Sequence, residues 1–391
     1  MKQAVILAAG EGQRLRPFTV NRPKTMLSLA DKPILQYAVE ALARNGIRNI
    51  VLVVGYRKEQ VFNYLGSGEQ FGVDISYVTQ EKQLGTAHAL AQAQAVVDDE
   101  FLVLPGDNLI AADTIAPFLT ARPAAVLVKM VENPARCGVA DIERGTVKSI
   151  VEKPREEGNS LVNTGIYAFN KKVFDYTETA LDIPDVINSM IADGQTIRAL
   201  ETEGTWLDVV YPWDILSLNN AVLQQIEASS GGSIEEGVTI SGNVSVGKGT
   251  VIRSHSYVAG PAVIGNGCDI GPHACIMPAT SIGNNVVIAP FTEIESSVIG
   301  DDVSIGPGCI IQDSVIDKGC IIKGNFNACS DETEMSINGD SHAVSVGAML
   351  GEGCRLGNGV VAQPGVTAGN YCQVKALKLI GGTLPDRSLV F

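Results

Sequence analysis

Two periodicities divide the chain. Up to about residue 228, apolar runs that read as buried strands, AVILA (4–8), NIVLVVG (49–55) and EFLVLPGDN (100–108), alternate with stretches of helical spacing. ILQYAVEALARNG (34–46) is one such stretch, closed by Gly46, and 86–97 is another. This alternation predicts an α/β, Rossmann-like domain over 1–228, a mostly parallel sheet with helices on both faces. SSGG at 229–232 marks a linker over 229–233. From Ile234 the period changes to six. Positions 234, 240, 246, 252, 258, 264, 270, 276, 282, 288 and 294 are all Ile or Val, and the pattern continues through Ile299, Ile305, Ile311, Ile316 and Ile322 after two five-residue steps. Such a repeat predicts a hexapeptide solenoid, a parallel β-helix over 234–391. It breaks at 324–345, where an inserted loop is expected, and resumes at Leu350 and Leu356.

The position two before each aliphatic residue is small, as an inward site at a tight corner requires. Cys268, Cys309, Cys320 and Cys354 occupy it, so these are read as core residues. With eight cysteines and no C-x-x-C pair, neither a zinc site nor a disulfide framework is expected. At 391 residues the length agrees with two domains. No apolar run approaches the ~18 residues of a membrane span, and AVILAA is too short for a signal h-region, so a cytoplasmic protein is expected.

Charge changes the picture at one place. A net charge of −14 disfavours nucleic acid and anionic membranes as partners. Yet the loop after the first strand, GEGQRLRPFTVNRPK (10–24), holds Arg14, Arg16, Arg22 and Lys24 behind Gly10 and Gly12. A glycine turn between a strand and a helix lets backbone N–H groups approach phosphates, and the bases neutralise their charge. Leu15 stands where a dinucleotide fingerprint has its third glycine, and no G-K-[ST] follows, so a small bound anion other than a dinucleotide is expected. Farther on, GDN (106–108) ends a buried strand with Asp107, a hard oxygen donor suited to Mg²⁺.

The stretch LAAGEGQRLRPFTVNRPKTML resembles the signature of the sugar-1-phosphate nucleotidylyltransferases. With the solenoid behind it, the whole chain resembles the bifunctional N-acetylglucosamine-1-phosphate uridyltransferases, archaeal forms above all. The resemblance implies a left-handed β-helix and a homotrimer or a multiple of one. It implies that Arg14 and Lys24 are catalytic, and that Leu7, Ala9, Gly10 and Gly12 bind the nucleotide. In TQEKQLGTAHA (79–89), Gln80, Gly85 and Thr86 match the segment that reads base and ribose. In CGVADIERGTVKSIVEKP (137–154), which reads as a hairpin, Gly138, Glu152 and Lys153 match contacts to the sugar and its phosphate, as do Asn163 and Thr164 in VNTGIY. Asp208, in GTWLDVVYPWDIL, matches a second metal carboxylate beside Asp107.

The reaction implied joins a nucleoside triphosphate, UTP or dTTP, to N-acetylglucosamine-1-phosphate or glucose-1-phosphate, releasing pyrophosphate with Mg²⁺ as cofactor. Two alternatives stay open: an inactive regulatory or scaffold subunit, and a bifunctional enzyme whose β-helix acetylates an amino-sugar phosphate with acetyl-CoA. In the resembling enzymes the acetyl-transfer base is a histidine in an H-L-x-Y-x-G-D stretch. KGNFNACSDETEM passes from G-N-F straight into the later loop, and His255, His273 and His342 begin no matching stretch. His342 is the only substitute, so acetyl transfer is expected to be absent or feeble.

Overall fold

The computed structural model describes residues 1–132, 134, 137–152 and 158–391, and within these the chain falls into two compact units. The first comprises 1–11, 22–26 and 33–208; the second comprises 12–21, 27–32 and 209–391.

The sheet of the first unit runs, in spatial order, Asp74–Thr79, Asn49–Val54, Gln3–Ala8, Glu100–Pro105, Ser160–Asn170, Ala125–Val131, Arg198–Glu201, Thr146–Glu152 and Gly138–Glu143. Its first four strands are parallel. Ser160–Asn170 then lies antiparallel between Glu100–Pro105 and Ala125–Val131, so the sheet is parallel where the nucleotide motifs lie and mixed beyond them. From Ala4 to Ala8 the strand Gln3–Ala8 is apolar without interruption because both faces are covered. Ala4, Ile6 and Ala8 pack with Leu35, Ala38, Val39 and Leu42 of helix Ile34–Arg44, while Val5 packs with Ala87, Leu90 and the helix Ile183–Ala192. Gly46, at φ +77°, ends the first of these helices in the left-handed conformation as expected.

From Gln3–Ala8 the chain crosses first to the neighbour on one side, Asn49–Val54, and later to the neighbour on the other, Glu100–Pro105. The carboxyl ends of these strands therefore part around a topological switch point, which is where open α/β sheets form their ligand crevice.

The second unit is a parallel β-helix of three sheets with nine, nine and eight strands among the described residues. Ile234, Ile252 and Ile270 stack in register, one on each successive coil. Inward-facing Ile252, Val258, Ile264, Ile270 and their successors form its core. At one corner the side-chain oxygens of Asn266, Asn284 and Asp301 accept from the backbone N–H of Lys248, Asn266 and Asn284, each bond spanning one coil. Cys268, Cys309, Cys320 and Cys354 are buried as expected, and Cys372 joins them. Burial pushes the Cys268 and Cys309 thiols up, so both stay protonated packing groups.

Two expected boundaries move. Ser229–Ser230 and Ser233–Ile234 already pair with the next coil, so the expected linker over 229–233 holds the first rungs. Gly232 is a corner: a Cβ there would stand 2.5 Å from the Thr250 carbonyl oxygen. The insertion expected as a loop is an antiparallel hairpin, Asp331–Ile337 with Asp340–Val346, turning at Asn338-Gly339 with positive φ at both residues. Asn327–Ala328 stays within the coil.

Candidate active site

Sterics build the crevice of the first unit. Gly106 donates from its backbone to Leu7 O at 2.9 Å, and a Cβ at Gly106 would come within 3.0 Å of that oxygen. A glycine there lets the chain turn tightly beyond Glu100–Pro105 and set Asp107 at the strand end. Antiparallel pairing of Asn108–Ile110 with Trp206–Asp208 then lays Asp208 opposite Asn108, so residues far apart in sequence present two carboxylates side by side.

Lys24 sits between them. Its Nζ lies 2.5 Å from Asp107 Oδ2 and 3.4 Å from Asp208 Oδ1, and its side chain is only 14% exposed. Burial alone draws the ammonium's pKa down, but the Asp107 and Asp208 carboxylates more than reverse this, so the net shift is upward and Lys24 stays charged. With its amide oriented to satisfy both ends, Asn108 donates to Asp107 Oδ1 at 3.1 Å and accepts from Trp206 Nε1 at 3.1 Å. The carboxylate is thereby held from two sides.

Beside this cluster opens a cleft of about 320 Å³, lined by Leu7, Ala9, Gly10, Gln80, Gly85, Thr86 and Asp107 among the expected residues. Gln83, Pro105, Gly165, Tyr167 and Ile183, which the sequence did not single out, complete much of its wall. Gly85 adopts φ +126° and passes so close to Leu181 that a Cβ would stand 2.3 Å from its carbonyl oxygen; no other residue fits there. Thr86 is a structural clamp as well as a lining residue. Its backbone N–H and hydroxyl both donate to Asp182 Oδ1, and its hydroxyl accepts from the backbone N–H of Ile183.

Asn163 and Thr164 make hydrogen bonds within the unit. Asn163 spends its amide inside the unit, donating to the Tyr167 hydroxyl at 2.8 Å and accepting from Gly165 N–H at 3.0 Å. The Thr164 hydroxyl is buried and donates to Leu127 O at 2.8 Å. A shift in strand register between Asn163 and Tyr167 turns Gly165 and Tyr167 to the cleft instead. Burial pushes the Tyr167 phenol up, which keeps it a neutral hydrogen-bonding group. Gly138 and Glu152 face each other at the open end of their hairpin, where Gly138 leaves room for the carboxylate: a Cβ would meet Glu152 Oε1 at 2.8 Å. Lys153 lies outside the described residues.

Gly12 and Arg14 belong to the loop 12–21 of the second unit. Gly12, at φ +75°, opens the turn Gln13–Leu15, and its carbonyl accepts from Thr19 Oγ1 at 2.8 Å. Arg14 in that turn is exposed. The loop rests on the β-helix: Asn370 Nδ2 donates to Pro17 O at 3.3 Å, and Asn21 Nδ2 donates to Glu352 Oε2 at 3.0 Å. His342 is no open base. Its ring packs on Tyr211 and Trp213, with centroids 4.4 and 5.6 Å away, and its buried Nε2 has no hydrogen-bond partner among the described residues.

Two carboxylates are too few to enclose a metal, and no cluster of three possible ligand side chains occurs among the described residues. That donor set fits Mg²⁺, which keeps waters and takes most of its remaining oxygens from substrate phosphates. Asp107 and Asp208 are the residues that would hold it.

Comparison with known proteins agrees with this geometry. Residues 3–225 match the nucleotidyl transferase family model, and 258–345 match the GMPPB C-terminal domain. The bifunctional protein GlmU of Methanococcus maripaludis is 39% identical over 405 aligned positions, covering 99% of this chain and 97% of the relative. Because that alignment is longer than the 391-residue chain, the relative carries residues with no counterpart here. A bifunctional sugar-1-phosphate nucleotidylyltransferase/acetyltransferase of Sulfurisphaera tokodaii is 32% identical, covering 95% of each chain. The glucose-1-phosphate thymidylyltransferase of Streptomyces antibioticus is 35% identical over 63% of this chain and 73% of its own. With its switch-point cleft, its paired carboxylates and a matching model over more than half its length, the chain belongs to the nucleotidyl transferase family.

Proposed function

We propose that the first unit joins a nucleoside triphosphate to a sugar-1-phosphate, giving a nucleoside diphosphate sugar and pyrophosphate. The observation that carries this reading is the convergence of Asp107, Asp208 and Lys24 at the switch point, beside a cleft lined by Gln80, Gly85 and Gly10. An oxygen of the sugar phosphate attacks the α-phosphorus, a new P–O bond forms, and the bond to the β-phosphate oxygen breaks as pyrophosphate leaves with the electron pair. The protein need supply no nucleophile, so catalysis is positioning and charge neutralisation. Lys24 holds the reacting phosphates against their mutual repulsion, and Asp107 and Asp208 orient the cation site. The divalent metal, Mg²⁺ in this reading, supplies Lewis-acid neutralisation of phosphate charge when bound. Arg14 is assigned to the departing pyrophosphate, and Glu152 and Lys153 to the sugar phosphate, on the strength of the motif. Pyrophosphate should appear only when both substrates are present; release from the triphosphate alone contradicts the reading. A cytoplasmic setting belongs to the same proposal, since nucleoside triphosphates are pooled there.

Acetyl transfer by the β-helix is a second reading. Full-length relatives named as bifunctional favour it and weigh against a silent β-helix. His342, packed on Tyr211 and Trp213, is not the base in this reading. Release of CoA from acetyl-CoA, dependent on glucosamine-1-phosphate and unaltered by His342→Ala, supports it; no release removes it.

Assembly follows from the outer surface of the β-helix. Along one sheet Tyr257, Ile310, Val361 and Leu379 occupy stacked outward positions and are exposed. Exposed apolar positions mark a surface for association, and the resemblance to the bifunctional enzymes makes a homotrimer or a multiple of one the expected assembly. Light scattering at micromolar concentration checks this, and a monomer contradicts it.

A further inference from the structure

We propose that the β-helix takes part in nucleotidyl transfer, with Glu352 as the residue that positions the triphosphate loop 12–21. The proposal rests on the nucleotidyl-transfer reading above and adds to it a positioning residue 331 places along the chain from its partner in the loop.

The repeat itself marks Glu352. One corner of the β-helix stacks residues 248, 266, 284, 301, 318, 352, 370 and 386, one from each successive coil. Where Asn or Asp stands there, its side-chain oxygen accepts the backbone N–H of the coil before. Asn266, Asn284 and Asp301 do so, and so do Asn370, from Glu352, and Asp386, from Asn370. Glu352 is one methylene longer than these. The Lys318 N–H that it would have to cover is met by Asp317 Oδ1 at 2.8 Å, and the Glu352 carboxylate has other partners.

Oε2 accepts from Asn21 Nδ2 at 3.0 Å. Oε1 accepts from the Tyr371 hydroxyl at 2.9 Å, with Lys318 Nζ 3.7 Å away. Gly353, at φ +68°, makes room for this arrangement, since a Cβ there would stand 2.6 Å from the Tyr371 ring. The Glu352 side chain is only 17% exposed, so water competes little for these bonds. Hydrogen bonds to a carboxylate are also roughly twice as strong as those between neutral groups. Asn370 braces the same point, accepting from Glu352 N–H at 2.8 Å and donating to Pro17 O at 3.3 Å. One corner of the β-helix thus grips the loop at both Pro17 and Asn21.

The loop bears on the reaction through its sequence neighbours and its own residues. It begins just after Gly10, which lines the cleft, and the chain re-enters the first unit at Arg22, two residues before Lys24. Within it lie Gly12 and Arg14, assigned above to the nucleotide and the departing pyrophosphate. Apparent affinity for a ligand scales with the fraction of molecules already in the receptive arrangement. Releasing the loop should therefore weaken the triphosphate and spare the sugar phosphate, which is assigned to Glu152 and Lys153.

The test measures initial rates with each substrate varied in turn, using whichever of UTP and dTTP the unaltered enzyme accepts. Glu352→Ala should raise KM for the triphosphate about tenfold and leave KM for the sugar-1-phosphate unchanged. In the reverse direction KM for pyrophosphate should rise likewise. Glu352→Gln should stay close to the unaltered enzyme, because its oxygen can still accept from Asn21 and the Tyr371 hydroxyl can accept from its nitrogen. Asn21→Ala, which leaves the β-helix intact, should reproduce Glu352→Ala, and the double variant should be no worse than either. A merely structural role for Glu352 would thin the folded population, lowering kcat and leaving both KM values alone. An unchanged KM for the triphosphate in Asn21→Ala or in folded Glu352→Ala overturns the proposal. Additive losses in the double variant, or an equal rise in KM for the sugar phosphate, do so as well. An unaltered enzyme that turns over no triphosphate with any sugar phosphate overturns instead the nucleotidyl-transfer reading beneath it.

Discussion

Replacing Asp107 by Asn should leave the protein folded and remove most of its turnover, by a hundredfold or more on the order-of-magnitude scale of a lost cation ligand. The fold should survive because the side chain is 31% exposed and anchors no apolar packing. Activity should not, because an amide lacks the negative charge that a hard cation requires. The substitution also sets an NH₂ group where Asp107 now accepts from Lys24 on one side or from Asn108 on the other. Initial rates across a Mg²⁺ titration, with a thermal melt as the control for folding, provide the check. Near-normal turnover at saturating Mg²⁺ contradicts the assignment.

Lys24→Met should be nearly as damaging, with a second signature in stability. Loss of a preorganised positive charge from a phosphate-transfer site lowers kcat by about 10²–10³. Without the ammonium, the Asp107 and Asp208 carboxylates lose the positive charge that lies between them. Because both are about a third exposed, water screens part of the repulsion, and a loss of about 1–2 kcal/mol is expected. A divalent cation can replace the lost charge. Melts of the variant in chelator and in millimolar Mg²⁺ should therefore differ more than those of the unaltered protein. Equal shifts in the two proteins would mean that the carboxylates hold no cation between them.

What the sequence revealed depended on the range of the contact. The six-residue period marked the core positions of the β-helix from Val246 on, because in a solenoid every coil repeats its neighbour's environment: Ile252, Ile270 and Ile288 are alike in sequence and alike in burial, whereas Ile234 and Ile240, in the first coil, are exposed. AVILA predicts a strand that ends at Ala8, as it does, whereas EFLVLPGDN reads as strand through 108 and the strand stops at Pro105, where Gly106 turns the chain. Asp107 and Asp208 could be matched as motifs, but their meeting depends on a short ribbon between Asn108–Ile110 and Trp206–Asp208, whose pairing no local pattern encodes.

The features the sequence did not reveal have equally specific causes. Asn163 and Thr164 lie in a segment that matches the family, yet a register shift in the strand spends their polar atoms internally and turns Gly165 and Tyr167 outward. Gly231 and Gly232 resembled a linker because a β-helix corner needs the same small residues that a flexible tether uses. The hairpin after Ala328 was signalled all along by Asn338-Gly339, an adjacent pair that favours positive φ, between stretches able to form strands.

Nucleotidyl transfer to a sugar-1-phosphate is the activity expected of this chain. Its most direct test incubates the purified chain and Mg²⁺ with each of the four common ribonucleoside triphosphates and dTTP, against glucose-1-phosphate and N-acetylglucosamine-1-phosphate. Pyrophosphate and the joined product are followed together by ³¹P NMR. Equimolar pyrophosphate and a nucleoside diphosphate sugar, formed with UTP or dTTP and lost in Asp107→Asn, is the predicted result. Formation of neither product in any pairing, from protein that melts cooperatively, would contradict it.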